Sequence, residues 1–348
     1  MGLRGYLLKR TVNTIILIIF VIILNFVIFE LMPGLQGSLD ALVENPRIPA
    51  DKKVLFVQHE EERFGLICGT DASGKPIQCD LFTRFQRYFV AMVTFNFGTS
   101  FQSGNPVTQD IIQTGRLTNT LLLLGVSSVL AIIIGIGLGV ISAKKRGGLL
   151  DSALVTTSLT TFSLPTFWIA LVLILIFSYW LNLLPATGVT PPEWIDPTRA
   201  PTSLLGQIPA RLAHLFLPAM TLTLFFYGGY LLLTRATMME ALSEDYITTA
   251  RAKGLSERTV LYKHALKNAS LPLVTAAALQ FGFLLSGAII TETVFSWDGL
   301  GLWLFNAIQW KDGPVMQAMF FIIALCVIMA NFASDILYGL LDPRIKYE

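Results

Sequence analysis

The sequence predicts an all-α membrane protein with six transmembrane helices and both termini in the cytoplasm. Three observations carry that prediction. First, of 348 residues 53% are hydrophobic and only 14% charged, against roughly 25% charged in an ordinary globular protein. With a mean hydropathy of +0.63, the chain is too apolar for a water-facing surface or a disordered polymer. Second, six stretches, approximately 11–33, 118–143, 152–184, 213–235, 271–294 and 315–340, reach the roughly 20 apolar residues that a membrane-crossing helix needs. Third, Lys and Arg crowd alternate short connections, which marks those connections as cytoplasmic. A net charge of +2 leaves no electrostatic footprint for nucleic acid, and the alternating pattern of a membrane β-barrel is absent.

Residues 1–33 hold the first helix. Arg4, Lys9 and Arg10 precede it, and its length, polar far end and lack of a small-residue cleavage site mark it as a retained span. The breaker pair Pro33-Gly34 opens an external segment, 34–116. Cys68 and Cys79, two of only three cysteines, lie in it with ten residues between them. On the oxidising side of the membrane such a pair reads as a disulfide. A metal site is disfavoured, because only His59 is near and no CxxC spacing occurs. Gly69 to Lys75 spells the Walker A spacing, but Pro76 stands where the Mg²⁺-ligating Ser or Thr belongs. That string reads as a hairpin tip.

Residues 117–348 form the remaining five-helix core. Gly135 and Gly139 in span two, and Ala278, Gly282 and Ser286 in span five, are small residues at helical spacing, which let backbones approach. Lys144, Lys145 and Arg146 lie between spans two and three. In span three Pro165 should kink the helix. Thr160, Thr161 and Ser163 before it either line a solute path or satisfy freed carbonyls. The external connection 185–212 holds six prolines and reads as a turn-filled loop.

The long cytoplasmic connection 236–270 is polar. Its pattern is a helix, a break at Gly254, and a second helix with Ser256 as N-cap. Pro272 is expected in the first turn of span five. Cys326 in span six reads as a small buried apolar residue. The intramembrane carboxylates Glu30, Glu292 and Asp335 lie towards helix ends, where their cost falls. No HExxH, nucleophile elbow or paired aspartates occur, so no catalytic residue is assigned.

In 235–272 the chain reads Tyr246-Ile-Thr-Thr-Ala250-Arg251-Ala-Lys253-Gly254-Leu255, then Lys263-His264-Ala-Leu-Lys-Asn268 and Leu271-Pro272. Here it closely resembles the permease subunits of ABC-type oligopeptide and dipeptide importers, in that family's version of the EAA loop. The resemblance extends along nearly the whole chain, through Ser163-Leu-Pro165-Thr-Phe167-Trp168, Leu217-Pro218-Ala219, Glu292-Thr-Val-Phe295-Ser-Trp297 and the terminal Asp342-Pro343-Arg344. Asn96-Phe97 and Asp298 depart from the family pattern, the latter standing where Pro is usual.

The resemblance implies a type I ABC-importer permease: six helices around a path shared with a second homologous permease, in the inner membrane of a bacterium or archaeon. Such a chain carries no cofactor of its own. ATP and Mg²⁺ would sit on two cytoplasmic ATPase subunits, and an external solute-binding protein would deliver substrate. The residues it implies for ATPase coupling are Ala250, Arg251, Lys253, Gly254 and His264, with Glu240 and Asp245 either joining them or only capping helices. Ser163, Pro165 and Gln280 are the candidates for lining the path. Similar permeases carry peptides, oligosaccharides or nickel chelates. The rival from another class is an ion-coupled secondary transporter, which should show midplane carboxylates or broken-helix repeats.

Overall fold

The computed structural model describes residues 3–31, 53, 67–70 and 76–341. Pro33-Gly34, His59, most of the Walker-like string and the motif from Asp342 lie outside the described residues, as do the side chains of Glu30 and Gln280.

Each apolar stretch is mainly helical over its described residues. Helix α1 is Leu3–Phe26 and widens into a π turn at Val27–Leu31. Strands β1 (Ile67–Thr70) and β2 (Pro76–Gln78) pair antiparallel, and the expected hairpin tip between them lies outside the described residues. Two short helices come next, α2 (Leu81–Val93) and α3 (Val107–Gln113). Helix α4 is Arg116–Lys144, α5 Leu149–Ser163 and α6 Thr166–Leu173, the last continued by a π segment, Ile174–Trp180. Helix α7 runs unbroken over Leu204–Leu242. Helix α8 is Asp245–Ala252, α9 Leu266–Val294, α10 Leu300–Trp310 and α11 Gly313–Leu341. Among the described residues, four helices are long and apolar enough to cross a membrane, and a fifth span is added if α5 and α6 count as one.

Three expectations change. Pro165 does more than kink span three: the chain breaks at Leu164-Pro165, and the helix bends there by 105°. Both residues are extended (ψ 137° and 138°); at Leu164 the cause is the proline that follows, which crowds its predecessor out of the helical region. The stretch 204–212, expected as loop, is the start of α7, capped by the Ser203 side chain at Gly206 N–H and tolerating Pro209 inside. Pro272 lies inside a helix and not at its start, because helical backbone runs on from Glu257 through a π segment at Val260–Ala265 into α9.

The chain divides into two compact units. One is built on Asn119–Asp298, with Ala330–Glu348 and the first turn of α1. Its core is made where α4 and α7 touch. An ideal Cβ on Gly135 would lie 2.5 Å from Tyr230 Cβ and 2.7 Å from Tyr227 O, and one on Gly139 would lie 2.5 Å from Thr234 Cβ. The predicted small-residue pair therefore does what its spacing implies. Gly228 of α7 approaches α5 as closely, at 2.8 Å from Ser158 O. In the same unit the Tyr6 hydroxyl donates to the Asp335 carbonyl (3.2 Å).

The second unit is built on Leu7–Thr118 with Gly299–Met329. Phe26 packs edge-on against Phe85 and beside Tyr88, each at 5.3 Å, so α2 is seated on α1 by its aromatic face. Asp312, at the start of α11, is buried and accepts from Ser100 Oγ (2.7 Å), Gln102 N–H (3.1 Å) and Val315 N–H (3.4 Å). Burial pushes its carboxyl above the usual range even against those donors. Asp80, which caps α2, is exposed, and the Thr83 hydroxyl and N–H hold its carboxyl below that range.

Cys68 and Cys79 are joined, with Cα atoms 4.9 Å apart. Protein purified without reductant should give a linked peptide pair in a digest, and breaking the link should cost about 3 kcal/mol at most, from loop entropy. Two free thiols by mass spectrometry would contradict this.

Candidate functional site

The candidate coupling segment is built from a short helix, a reversal and a long helix. Helix α8 carries Asp245 in its first turn and Arg251 in its last, matching the helix dipole at both ends. It ends at Gly254, whose φ of +76° is open to glycine without a Cβ penalty. Gly254 N–H donates to Arg251 O (2.9 Å) and Leu255 N–H to Ala250 O (3.4 Å), the paired bonds of a Schellman motif. Ser256 then caps the next helix, its side chain accepting from Thr259 N–H, as the sequence predicts. Across the turn Arg251 Nε donates to Glu257 Oε1 at 2.9 Å. Both side chains are about half exposed, so this pair fixes a direction more than it adds stability.

The two faces of the segment differ. Ile247, Ala250, Val260, Leu261 and Ala265 are buried against Val140 and Ala143 of α4 and Met238 and Ala241 of α7. Ala250 therefore contributes by being small, as a contact that lets α8 sit down. Arg251, Lys253 and Gly254 are exposed, with Glu240 and Asp245, and His264 is half-buried. Four of the five coupling candidates thus reach the surface of one small body, while the fifth lies beneath it.

Directly beside this seat is an arrangement the sequence reading missed. Asp151, almost wholly buried, accepts from Arg235 Nε (2.7 Å) and Nη2 (2.8 Å), from Gly147 N–H (2.9 Å) and from the Ser142 hydroxyl. Four donors fill the acceptor positions of one carboxylate. Local pattern gives no hint of it, since Asp151 and Arg235 are 84 residues apart. The available signal was opposite charges at the same-side ends of two predicted spans.

Ser163 and Pro165 lie at the bend between α5 and α6, and both are exposed on the chain. The hydroxyls before the bend turn inward: Thr160 donates to Thr156 O (2.8 Å), Thr161 to Thr157 O (3.1 Å) and Ser163 to Leu159 O (2.8 Å). They serve carbonyls already within the helix. Such back-bonding bends helices.

On the opposite end of the same unit, His214 Nδ1–H donates to Thr187 O (3.0 Å) and Gly188 O (3.2 Å), pinning the proline-rich loop to α7. The buried Glu292 accepts from Thr120 Oγ1 (2.7 Å). Trp297 Nε1 donates to Asn119 O (3.1 Å), and Asn119 Nδ2 to Asp298 O (2.7 Å). Among the described residues no group of three or more His, Cys, Asp or Glu is placed to hold a metal ion.

A family model described as binding-protein-dependent transport system inner membrane component matches residues 135–347. The oligopeptide transport system permease protein AppB of Bacillus subtilis is 35% identical over 346 residues, covering 99% of this chain and 100% of that protein. The dipeptide transport system permease protein DppB of Escherichia coli K12 is 38% identical over 279 residues, 77% and 82% of the two chains. The glutathione transport system permease protein GsiC of Salmonella paratyphi A is 34% identical over 344 residues, 99% of each.

Proposed function

Because the chain belongs to the binding-protein-dependent transport system inner membrane component family, we propose that it is a permease subunit of an ATP-driven importer of di- and oligopeptides. The peptide class rests on the relatives named for oligopeptides, dipeptides and glutathione. In this reading six helices cross the cytoplasmic membrane of a bacterium or archaeon with both termini inside. The Tyr6–Asp335 bond supports that, since it sets the first turn of α1 beside the last turns of α11. Segment 34–116 lies outside, with its disulfide on the oxidising face.

The observation that carries the mechanism is the glycine-turned segment 245–265 on its apolar seat. Its exposed tip offers Lys253 and Arg258, which make no ion pair among the described residues, to an acidic groove on a cytoplasmic ATPase. Closure of two ATPases, with ATP and Mg²⁺ bound on them, presses the tip. The buried side passes that displacement to α4 and α7 and so to a path shared with a second permease. Ser163, Pro165 and Gln280 are the residues assigned to that path, and an external solute-binding protein delivers the cargo to it. This chain holds and orients, while the ATP chemistry belongs to its partners.

The test is uptake by the complete complex in proteoliposomes, offered a defined pool of di- to pentapeptides read by mass spectrometry. ATP inside, with loaded binding protein outside, should drive uptake, and a proton gradient alone should not. Uptake driven by the gradient without ATP would establish the ion-coupled class instead. Uptake of oligosaccharides or nickel chelates in place of peptides would keep the machinery and change the cargo.

A further inference from the structure

The lever sits on α4 and α7, yet the sharpest break in the membrane region is between α5 and α6. Something must join the two. Arg235 lies three residues, less than one helical turn, before Met238 in the lever's seat on α7, and Ser142 immediately precedes Ala143 in the seat on α4. Both donate to Asp151, which opens α5. Gly147, in the four-residue link between α4 and α5, completes the set through its N–H. A single carboxylate therefore collects the two helices that bear the lever and fastens them to the arm that ends at Pro165.

We infer that Asp151 and Arg235 are positioning residues for coupling: their bidentate pair draws α5, and with it the 105° bend, along with the lever. This rests on the reading of segment 245–265 as a lever. Two features favour transmission over simple bracing. Asp151 is buried but the Arg235 side chain is 26% exposed, so the pair lies at the rim of the packed region, where neighbouring helix ends can be pulled. Bracing, moreover, is already supplied by apolar packing. Gly228 against Ser158 holds α5 to α7 two turns away, where no charge is needed. A bidentate guanidinium–carboxylate bond adds direction, since it resists sliding and rotation that apolar contact permits.

The experiment measures peptide uptake per ATP hydrolysed, using the complete transporter in proteoliposomes and the di- to pentapeptide pool as probe. Arg235→Gln removes the charge and the fork. Its ATPase activity, stimulated by loaded binding protein, should stay within about twofold of wild type, while uptake falls about tenfold or more. Arg235→Lys, which keeps the charge and loses the fork, should fall between. An unchanged ratio would overturn the inference, whether both rates decline together, so that the pair only holds the fold, or both stay at the wild-type level.

Should Arg235→Gln not assemble, Ser142→Ala removes one neutral donor and should lower uptake per ATP by about twofold; no change there overturns it too. Gly254→Val, run in parallel, separates the two claims. If that variant loses ATPase stimulation while the Arg235 variants keep a normal ratio, only the clamp is wrong. If it behaves as wild type, the lever reading fails and takes the clamp with it.

Discussion

Gly254→Val is expected to abolish ATP-coupled uptake while leaving the subunit inserted and assembled. The residue holds φ at +76°, and an ideal Cβ there meets nothing within 4 Å, so the penalty lies in the backbone and not in crowding. Forcing a β-branched residue into the left-handed region costs roughly 1–2 kcal/mol. The chain can relieve that cost by giving up the bonds from Gly254 N–H to Arg251 O and from Leu255 N–H to Ala250 O. Either response re-aims the helical body beyond the turn, which continues from Glu257 to Val294. Gly254→Asn should be nearly silent, since asparagine enters this region readily, and Gly254→Ala should be intermediate. Reconstituted complexes assayed for both uptake and binding-protein-stimulated ATPase give the answer. A valine variant with normal values for both, and normal subunit assembly, would remove the coupling role from this turn.

The second large effect is a reversal of sign between neighbouring glycines. At Gly135, Gly139 and Gly228 an added Cβ runs into backbone atoms of the facing helix, at 2.7 Å from Tyr227 O, 2.8 Å from Leu231 O and 2.8 Å from Ser158 O. Backbone cannot rotate aside, so alanine at each should cost about 1–3 kcal/mol by overpacking, and leucine should prevent a stable complex. At Gly137 and Gly229 nothing lies within 4 Å. Alanine there should be neutral or should stabilise by up to about 1 kcal/mol through helix propensity. Melting temperatures of the purified complex carrying each single alanine decide the matter. Equal losses at Gly135 and Gly137 would show that the α4–α7 approach is not as close as described.

Much of this was legible locally. The reversal at Gly254 and the cap at Ser256 are written within a dozen residues, and the spacing of Gly135 and Gly139 names a contact without naming its partner. Cys68 and Cys79 needed only their compartment and separation. The features that escaped have a shared physical cause. The four donors around Asp151 come from three segments, and the partner of Ser100 is 212 residues away. In the sequence Arg235 is one positive charge among several between the fourth and fifth apolar stretches. Pro165 announced a disturbance, but its size depends on what packs around it. Pro272 misled because proline usually opens a helix, and here a π segment upstream carries the helix past it.

The break at Leu164-Pro165 has a consequence for the lipid as well as for the protein. Each arm, Leu149–Ser163 and Thr166–Trp180, is only about 22 Å long at 1.5 Å per residue, against a hydrocarbon layer about 30 Å thick. Bent by 105°, the arms do not add end to end, so this element reaches less far across the bilayer than an unbroken helix of the length of α4, 29 residues. The freed carbonyls at the bend, too, are tolerable at that depth only where protein or trapped water covers them. Thicker membranes therefore penalise this element selectively, by fractions of a kcal/mol per Å of mismatch. Acyl-chain length thereby becomes a variable that acts on the bent arms first.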